Sequence, residues 1–234
     1  MNYESAELTA VTQTTPEVKQ FQFKLEENSW EFKPGQHTVL KFKDDGEEVE
    51  RPYTMINLPE ERKFALAIKK YPDGRATPWI HDREEGDEIE FSEPSGNLSI
   101  EDYDKDIVLI STGTGATPMY AMLRDYLKKG SGKVHYFHGE KTRETVLFKQ
   151  ELELLEAENE EMELYISLTD EEWPGLEGYL QEHIPEELDS LDDKHFYVCG
   201  VPAMVVQTKE LLRERGVEEE RIITEGWEND AVDD

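Results

Sequence analysis

The chain changes its hydrophobic rhythm near residue 104, and this change limits the possible folds more than any other feature of the sequence. Before it, apolar residues alternate with polar ones, as in Phe21–Leu25, Phe64–Ile68 and Ile89–Phe91. A period of two predicts strands with one buried face. Turn signals such as Pro72-Asp73-Gly74 separate these strands, and short strands joined by such turns favour a small antiparallel barrel.

After residue 104 the pattern becomes an alternation of strands and helices. Ile107–Ile110 is a continuous apolar run of the kind that a buried parallel strand requires, and Met119, Met122 and Leu123 follow it at helical spacing. Strands that alternate with helices predict a parallel sheet. We therefore predict an antiparallel β-barrel domain over residues 1–103 and an α/β domain with a parallel sheet over residues 104–234. The further elements predicted for the second domain are strands near Val134–Phe137, Glu163–Ile166, His195–Cys199 and Arg221–Thr224, with helices near Thr145–Glu156, Glu177–His183 and Ala203–Arg215.

The charge balance excludes some classes of partner. The 234 residues include 55 Asp plus Glu and 25 Lys plus Arg, a formal net charge of -30. Such a surface repels nucleic-acid phosphates and anionic membranes, so we expect neither as a partner. The acids occur in runs along the whole chain, which favours a surface adapted to high salt. A docking face for a basic partner is the alternative.

Cysteine content and apolar runs bear on the compartment. The only cysteine is Cys199, which excludes a disulfide within the chain and a cysteine-ligated iron–sulfur cluster. We predict no metal site. The N-terminus lacks the features of a signal peptide, and no apolar run has the length that spans a bilayer. These observations predict a soluble, cytoplasmic protein.

The sharpest local signal is the glycine-rich segment Ser111–Pro118, which follows the buried strand and opens a helix. Glycines there let the backbone approach a pyrophosphate, and the amides at the start of the helix favour an anion. The segment lacks the Gly-Lys-Ser/Thr end of a P-loop, and Pro118 replaces the third glycine of Gly-x-Gly-x-x-Gly. It predicts a dinucleotide site, with a plain strand-to-helix turn as the alternative.

Three further segments carry side chains that suit a cofactor. In Arg51–Pro59 an arginine can clamp a phosphate, a tyrosine can stack on a flat ring and a threonine can donate a hydrogen bond. Lys69–Thr77 is a turn rich in donors, and Val198–Pro202 joins a strand to a helix, where open parallel sheets bind ligands. The alternatives are an ordinary strand edge, a simple hairpin turn and a buried structural Cys199.

Taken in this order, the segments closely resemble the ferredoxin–NADP reductase-like flavoprotein family over nearly the whole chain. The family pattern Arg-x-Tyr-Ser/Thr matches Arg51–Thr54, and Gly-x-x-Ser/Thr matches Gly74–Thr77. Gly-Thr-Gly-x-x-Pro matches Gly113–Pro118, and Cys-Gly-x-Pro matches Cys199–Pro202. Each pattern is weak alone, and their common order makes the resemblance specific.

The resemblance implies a function and its cofactors. A hydride would pass from NADH or NADPH to FAD, with FMN as the alternative flavin. The electrons would then leave for a separate acceptor such as a ferredoxin or another redox protein. The alternative function is a non-catalytic or electron-transfer flavin subunit of a larger redox complex.

The resemblance also implies roles for individual residues in the barrel half. Arg51 would pair with the FAD pyrophosphate, Tyr53 would lie against the isoalloxazine ring, and Thr54 would hydrogen-bond near flavin N5. Gly74–Thr77 would supply donors to the FAD phosphates.

In the α/β half, the resemblance implies that Thr112–Thr117 cradles the nicotinamide dinucleotide and that Cys199 lies beside the nicotinamide. Glu225 and Trp227 would flank the flavin, so Thr54, Cys199 and Glu225 are the implied catalytic residues. The full set implied to contact a cofactor is Arg51, Pro52, Tyr53, Thr54, Ile68, Lys69, Gly74, Arg75, Ala76, Thr77, Thr112, Gly113, Thr114, Gly115, Thr117, Pro118, Asp170, Cys199, Gly200, Pro202 and Trp227.

The choice between the two coenzymes depends on a 2′-phosphate, which needs cationic partners. The family meets this phosphate after the strands that here end at His138 and Ser167. After Ser167 the chain is acidic, and Asp170 would repel a phosphate while accepting hydrogen bonds from ribose hydroxyls. We predict a preference for NADH. Lys141 and Arg143 leave NADPH open as the alternative.

Overall fold

A computed structural model of the chain describes residues 2–25, 30–61 and 63–225. All structural statements below concern these ranges. The chain divides into two compact units, Met1–Ser99 and Ile100–Asp234. No helix in the described ranges is both long and apolar enough to cross a bilayer.

Unit one is built from the segments with a period of two. Its strands lie in the order β4-β3-β6-β1-β2-β5, and each neighbouring pair is antiparallel. An antiparallel bridge between Met55 and Leu66 joins the two outer strands, so the sheet curls into a barrel. The elements are β1 (Tyr3–Gln13), β2 (Val18–Leu25), β3 (His37–Asp44), β4 (Glu47–Thr54), β5 (Phe64–Lys69), α1 (Ala76–His81) and β6 (Glu88–Ser92).

The alternating residues of these strands form an aromatic core. Phe23 stacks on Phe64 at 5.0 Å between ring centroids and meets the edge of Phe91 at 4.8 Å. Helix α1 covers the same core, because Ala76 and Ile80 belong to it. The segment that contains Gly74 therefore continues into a helix packed on the barrel.

Unit two is a parallel sheet with helices. The strand order is β10-β9-β8-β7-β11-β12, and every neighbouring pair is parallel. Its elements are β7 (Ile107–Thr112), α2 (Ala116–Lys129), β8 (Val134–Glu140), α3 (Lys149–Glu158), β9 (Met162–Leu168), β10 (Leu176–Glu177), α4 (Leu180–Glu187), β11 (His195–Cys199), α5 (Pro202–Glu214) and β12 (Ile222–Thr224).

The apolar run of β7 lies in the middle of this sheet. Ile107–Ile110 are fully buried, because β8 and β11 pair with β7 on its two sides. Val108 and Ile110 share one core cluster with Ile184 of α4 and Leu212 of α5. A strand covered in this way needs apolar residues at consecutive positions, which is the pattern that identified it.

The predicted fold class is confirmed, and the starts of two helices differ from prediction. Helix α3 begins at Lys149 rather than near Thr145, because Phe148 has a left-handed backbone with φ of +60°. Leu176–Glu177 pairs with β9, and Gly178 has φ of +91°, so α4 begins only at Leu180. The Pro72-Asp73-Gly74 turn leads into α1, whereas a hairpin was the alternative reading of that segment.

Candidate functional site

The glycine-rich segment forms a tight connection between β7 and α2. Thr112 is the last residue of β7, Gly113–Gly115 form a 3-10 turn, and α2 starts at Ala116. Gly113 has φ of +56°, and a Cβ built there meets no atom within 4 Å. A left-handed backbone favours glycine, and the space around Gly113 lets another molecule approach the main chain.

Gly115 serves a different purpose in the same turn. A Cβ at this position would overlap the backbone carbonyl of Cys199. Only glycine therefore allows the turn to lie directly against the end of β11. Gly113 thus leaves the backbone of the turn accessible, and Gly115 lets the turn pack against the end of β11.

The hydroxyl groups around the turn stabilise it from within. Thr112 Oγ1 accepts a hydrogen bond from the backbone N–H of Val201 at 3.0 Å. Thr117 Oγ1 donates to the carbonyl oxygen of Thr114 at 2.8 Å. The first N–H groups of a helix have no partner inside the helix, so the start of α2 supplies backbone donors. Pro118 lies in this first turn, where a missing N–H has little effect.

The turn lies where the strand order of the sheet reverses. Thr112 pairs with Gly139 of β8, and Ser111 pairs with Cys199 of β11, on opposite sides of β7. In open α/β sheets, ligands bind at the carboxyl ends of the strands at such a switch point. The structure brings the predicted segments Thr112–Pro118 and Cys199–Pro202 together at this edge.

Cys199 lies close to a carboxylate. Its half-buried Sγ is 3.9 Å from Oε2 of Glu225, which follows β12. Pro202 occupies the first position of α5, directly after Gly200 and Val201. Trp227 lies outside the described residues. In the described ranges, no group of three or more His, Cys, Asp or Glu side chains could hold a metal ion.

A buried polar cluster immediately precedes the turn. Ser111 Oγ is 3.0 Å from Tyr136 Oη and 2.8 Å from His138 Nδ1, and all three residues are buried. Burial lowers the pKa of His138 to about 4, so its ring is neutral at physiological pH. The cluster links β7 to β8 without charge. In the sequence, Ser111 and His138 are the polar residues that follow the apolar runs of β7 and β8.

In unit one, Arg51–Thr54 are the last four residues of β4. Arg51 is exposed, and its Nη1 donates to the carbonyl oxygen of Glu50 at 2.7 Å. Tyr53 packs against the barrel core, and this burial raises its pKa to about 12 although Arg51 acts in the opposite direction. The strand therefore ends with an exposed cation next to a half-buried neutral phenol.

The segment Gly74–Thr77 is held in a compact turn. The N–H of Gly74 donates to the carbonyl oxygen of Tyr71 at 3.0 Å. Thr77 Oγ1 accepts from the N–H of Tyr71 at 2.9 Å and donates back to its carbonyl oxygen at 3.2 Å. Helix α1, which starts at Ala76, contacts β4. The two segments predicted to bind the flavin therefore belong to, or lead into, elements of unit one that contact each other.

The cations near this turn already have acidic partners. Arg75 Nε is 2.7 Å from Asp44 Oδ2, and its Nη1 is 2.9 Å from Glu47 Oε2. Lys69 follows the buried Ile68 at the end of β5, and its Nζ is 2.8 Å from Glu17 Oε2. Any phosphate that used Arg75 or Lys69 would have to compete with these carboxylates.

The loops that follow β8 and β9 contain the residues expected to choose the coenzyme. Asp170 is exposed, and its N–H donates to the carbonyl oxygen of Lys141 at 2.9 Å. Arg143 forms an ion pair with Glu171, since its Nε donates to Oε1 of Glu171 at 2.5 Å. The sequence indicated Arg143 as a possible phosphate ligand and gave no sign of this partner.

Fold and site together give each unit one candidate nucleotide-binding region. The family described as "Oxidoreductase FAD-binding domain" matches residues 5–100, and the family described as "Oxidoreductase NAD-binding domain" matches residues 109–210. The two matches cover most of the chain. The chain thus matches the FAD-binding and NAD-binding oxidoreductase domains of the ferredoxin reductase-like family.

Individual relatives agree with this assignment. The glycine betaine monooxygenase reductase subunit of Chromohalobacter salexigens is 29% identical over 218 residues, which cover 88% of this chain and 59% of that protein. A flavohemoprotein of a Burkholderia species is 32% identical over 197 residues, which cover 82% of this chain and 50% of that protein. This chain thus spans between half and three fifths of the length of these two relatives.

A solved structure supports the fold assignment. The crystal structure of an Amycolatopsis cytochrome P450 reductase superposes with a TM-score of 0.88 at 25% sequence identity. The superposition covers 96% of this chain and 69% of that one.

The packing of Gly115 generates a testable prediction. In Gly115→Ala, the new Cβ overlaps the Cys199 carbonyl, so the turn must move away from the end of β11. We expect the KM for the nicotinamide coenzyme to rise by about tenfold or more, since misplaced backbone donors lose their charge-assisted hydrogen bonds. Steady-state kinetics measure this change. FAD content, which reports on unit one, serves as the control and stays at the wild-type value. A wild-type KM would contradict the role given to Gly115.

Proposed function

We propose that this chain is an NAD(P)H-dependent flavoprotein reductase that delivers electrons to a separate acceptor. When bound, FAD accepts a hydride from a reduced nicotinamide and passes the electrons on singly or in pairs. The observation that carries the proposal is the open, left-handed turn at Gly113, which lies at the switch point of a parallel sheet. In the same chain, a barrel unit ends one strand with Arg51–Thr54. The roles of individual residues in this function are likewise proposals.

Unit one has the groups that a flavin dinucleotide needs. The exposed Arg51 guanidinium can pair with a diphosphate, and the first N–H groups of α1 at Ala76 and Thr77 can donate to it. Tyr53 combines a ring packed on the barrel core with a neutral hydroxyl, which suits contact with a flat heterocycle. We assign Thr54 to hydrogen bonding near the reactive edge of the flavin.

Unit two has the groups that a nicotinamide dinucleotide needs. The backbone of Gly113–Gly115 and the start of α2 would bind the pyrophosphate. On one side of β7, Asp170 would accept hydrogen bonds from ribose hydroxyls. On the other side, Cys199 would lie beside the nicotinamide, and the nearby Glu225 would flank the flavin. Their contact at 3.9 Å supports a joint positioning role for these two side chains.

The acceptor is proposed to be another redox protein. One relative is named as the reductase subunit of a monooxygenase, and a similar structure is a cytochrome P450 reductase. Both names describe reductases, one of a monooxygenase and one of a cytochrome P450. A ferredoxin or an oxygenase component therefore fits this chain as acceptor. The first of these relatives is named as a subunit. The second candidate function for this chain is therefore an electron-transfer subunit of a larger complex.

Flavin content and anaerobic reduction test the proposed function. We expect the purified chain to be yellow and to release one FAD on heating, identified by chromatography. NADH added without oxygen should bleach the flavin absorbance, and a panel of acceptors including ferredoxin and dyes should restore it. Reduction of dyes by the isolated chain separates an enzyme from a passive subunit. A colourless protein that takes up neither FAD nor FMN would refute the proposal.

The roles of Thr54 and Arg51 predict two different defects. Thr54→Ala should keep FAD and slow its reduction roughly tenfold or more, because a hydrogen bond made near the reacting atoms contributes about 1–3 kcal/mol. Arg51→Ala should instead lose FAD, which equilibrium dialysis measures. Thr54→Ser keeps the hydroxyl and is the matched control. If Thr54→Ala is reduced at the wild-type rate, the assignment of Thr54 is wrong.

We also propose that the chain works in the cytoplasm of a salt-adapted cell. A formal net charge of -30 produces self-repulsion in the folded state, and salt screens it. We expect the melting temperature and the activity to rise from low salt to molar KCl. A neutral osmolyte at matched osmolality should not reproduce the rise. A melting temperature that is flat or falls over this range would count against salt adaptation.

A further inference from the structure

The loops after β8 and β9 leave the sheet side by side. The N–H of Thr169 donates to the carbonyl oxygen of Glu140 at 3.1 Å, and the N–H of Asp170 donates to that of Lys141 at 2.9 Å. The pairing of the two strands therefore continues past their ends. As a result, Glu171 on one loop reaches Arg143 on the other.

Glu171 is held by the donors that proteins commonly use for a phosphate. Its Oε1 is 2.5 Å from both Nε and Nη2 of Arg143, and its Oε2 accepts the backbone N–H of Arg143 at 2.8 Å. A guanidinium fork together with a backbone amide binds phosphate as well as carboxylate. These same hydrogen bonds, the backbone one first, lower the pKa of Glu171, so it is ionised at neutral pH.

The backbone around Arg143 is fixed by its neighbours. The N–H of Thr145 donates to the carbonyl oxygen of Thr142 at 3.2 Å, and Thr145 Oγ1 accepts from the N–H of Thr142 at 3.3 Å. Arg143 lies inside this closed turn. Its side chain is 56% exposed and that of Glu171 is 28% exposed. The donors are thus arranged in advance and accessible from solvent, and an internal carboxylate occupies them.

The position of this pair along the sheet edge relates it to the coenzyme. Thr112 of β7 pairs with Gly139 of β8, which pairs with Ser167 of β9. In dinucleotide-binding sheets, the strand after the pyrophosphate turn ends near the adenosine ribose, and an acid or an arginine there distinguishes a 2′-hydroxyl from a 2′-phosphate. Here that strand is β8, which ends at Glu140, three residues before Arg143. This step rests on the proposed function.

We propose that Glu171 acts as an internal competitor for the 2′-phosphate of NADPH and thereby makes the chain select NADH. The carboxylate holds both donor groups of Arg143 that the phosphate would need. Asp170, which would accept hydrogen bonds from the ribose hydroxyls, and Glu172 add repulsion of their own. Removal of the Glu171 charge would uncover a phosphate-binding arginine without any new cation being introduced.

The test compares two adjacent acids in the FAD-loaded protein. Glu171→Gln and Glu172→Gln change the net charge equally, and only the first releases Arg143. Calorimetric titration with AMP and with 2′-phospho-AMP at one fixed ionic strength measures the contribution of the 2′-phosphate. We expect Glu171→Gln to bind 2′-phospho-AMP about tenfold more tightly than wild type, the scale of one recovered charge-assisted contact, with AMP nearly unchanged. The kcat/KM ratio of NADPH to NADH should rise in parallel.

The double variant Glu171→Gln with Arg143→Gln identifies the group that is released. If Arg143 is that group, the double variant loses the gain. A gain of equal size in Glu172→Gln would overturn the proposal, because bulk charge would then explain it. A gain that survives Arg143→Gln, or no gain in Glu171→Gln, would overturn it as well. Binding of AMP by the wild type separately reports the coenzyme site, so failure of the proposed function is distinguishable from failure of this inference.

Discussion

The close contact between Gly115 and the Cys199 carbonyl is the constraint on which the arrangement of unit two depends. It requires β11 to lie directly beside β7, and the parallel pairing of Ser111 with Cys199 provides that neighbour. Because β8 pairs on the other side of β7, the turn lies between two strand ends of different chemistry. One end presents a thiol near a carboxylate, and the other leads to the loop of Arg143. The Gly115 contact thus fixes the turn against the strand end that presents the thiol.

In unit one, the position of the candidate turn is fixed without a parallel sheet. Helix α1 contacts β4 and packs its Ala76 and Ile80 into the barrel core. The Thr77 hydroxyl binds the Tyr71 backbone and so fixes the turn that precedes the helix. Apolar burial holds the helix in place, and internal hydrogen bonds hold the turn before it. The Arg75 contacts with Asp44 and Glu47 show that this acidic chain also satisfies its cations internally.

Periodicity predicted the parts of the fold that depend on burial, and it failed where one backbone angle or one distant pair decides. The apolar run Ile107–Ile110 identified the central strand, because full burial requires such a run. The late start of α3 follows from the left-handed Phe148, and an apolar residue gives no signal for that conformation. Arg143 and Glu171 are 28 residues apart, and no spacing rule connects them. The sequence shows three consecutive acids, and only the structure shows which one binds the arginine.

An acidic protein can discriminate between the two coenzymes either by repulsion from its surface charges or by direct contact between one acid and a phosphate-binding group. Repulsion between a phosphate and exposed acids decays with the Debye length, about 10 Å at 0.1 M salt and about 3 Å at 1 M. If the surface is adapted to high salt, the long-range repulsion from the acids spread over the surface is largely screened in the working environment. Direct occupation of the Arg143 donors by Glu171 involves atoms in contact and no intervening solvent ions. Selectivity that must persist in salt therefore has to depend on occupied donors rather than on net charge.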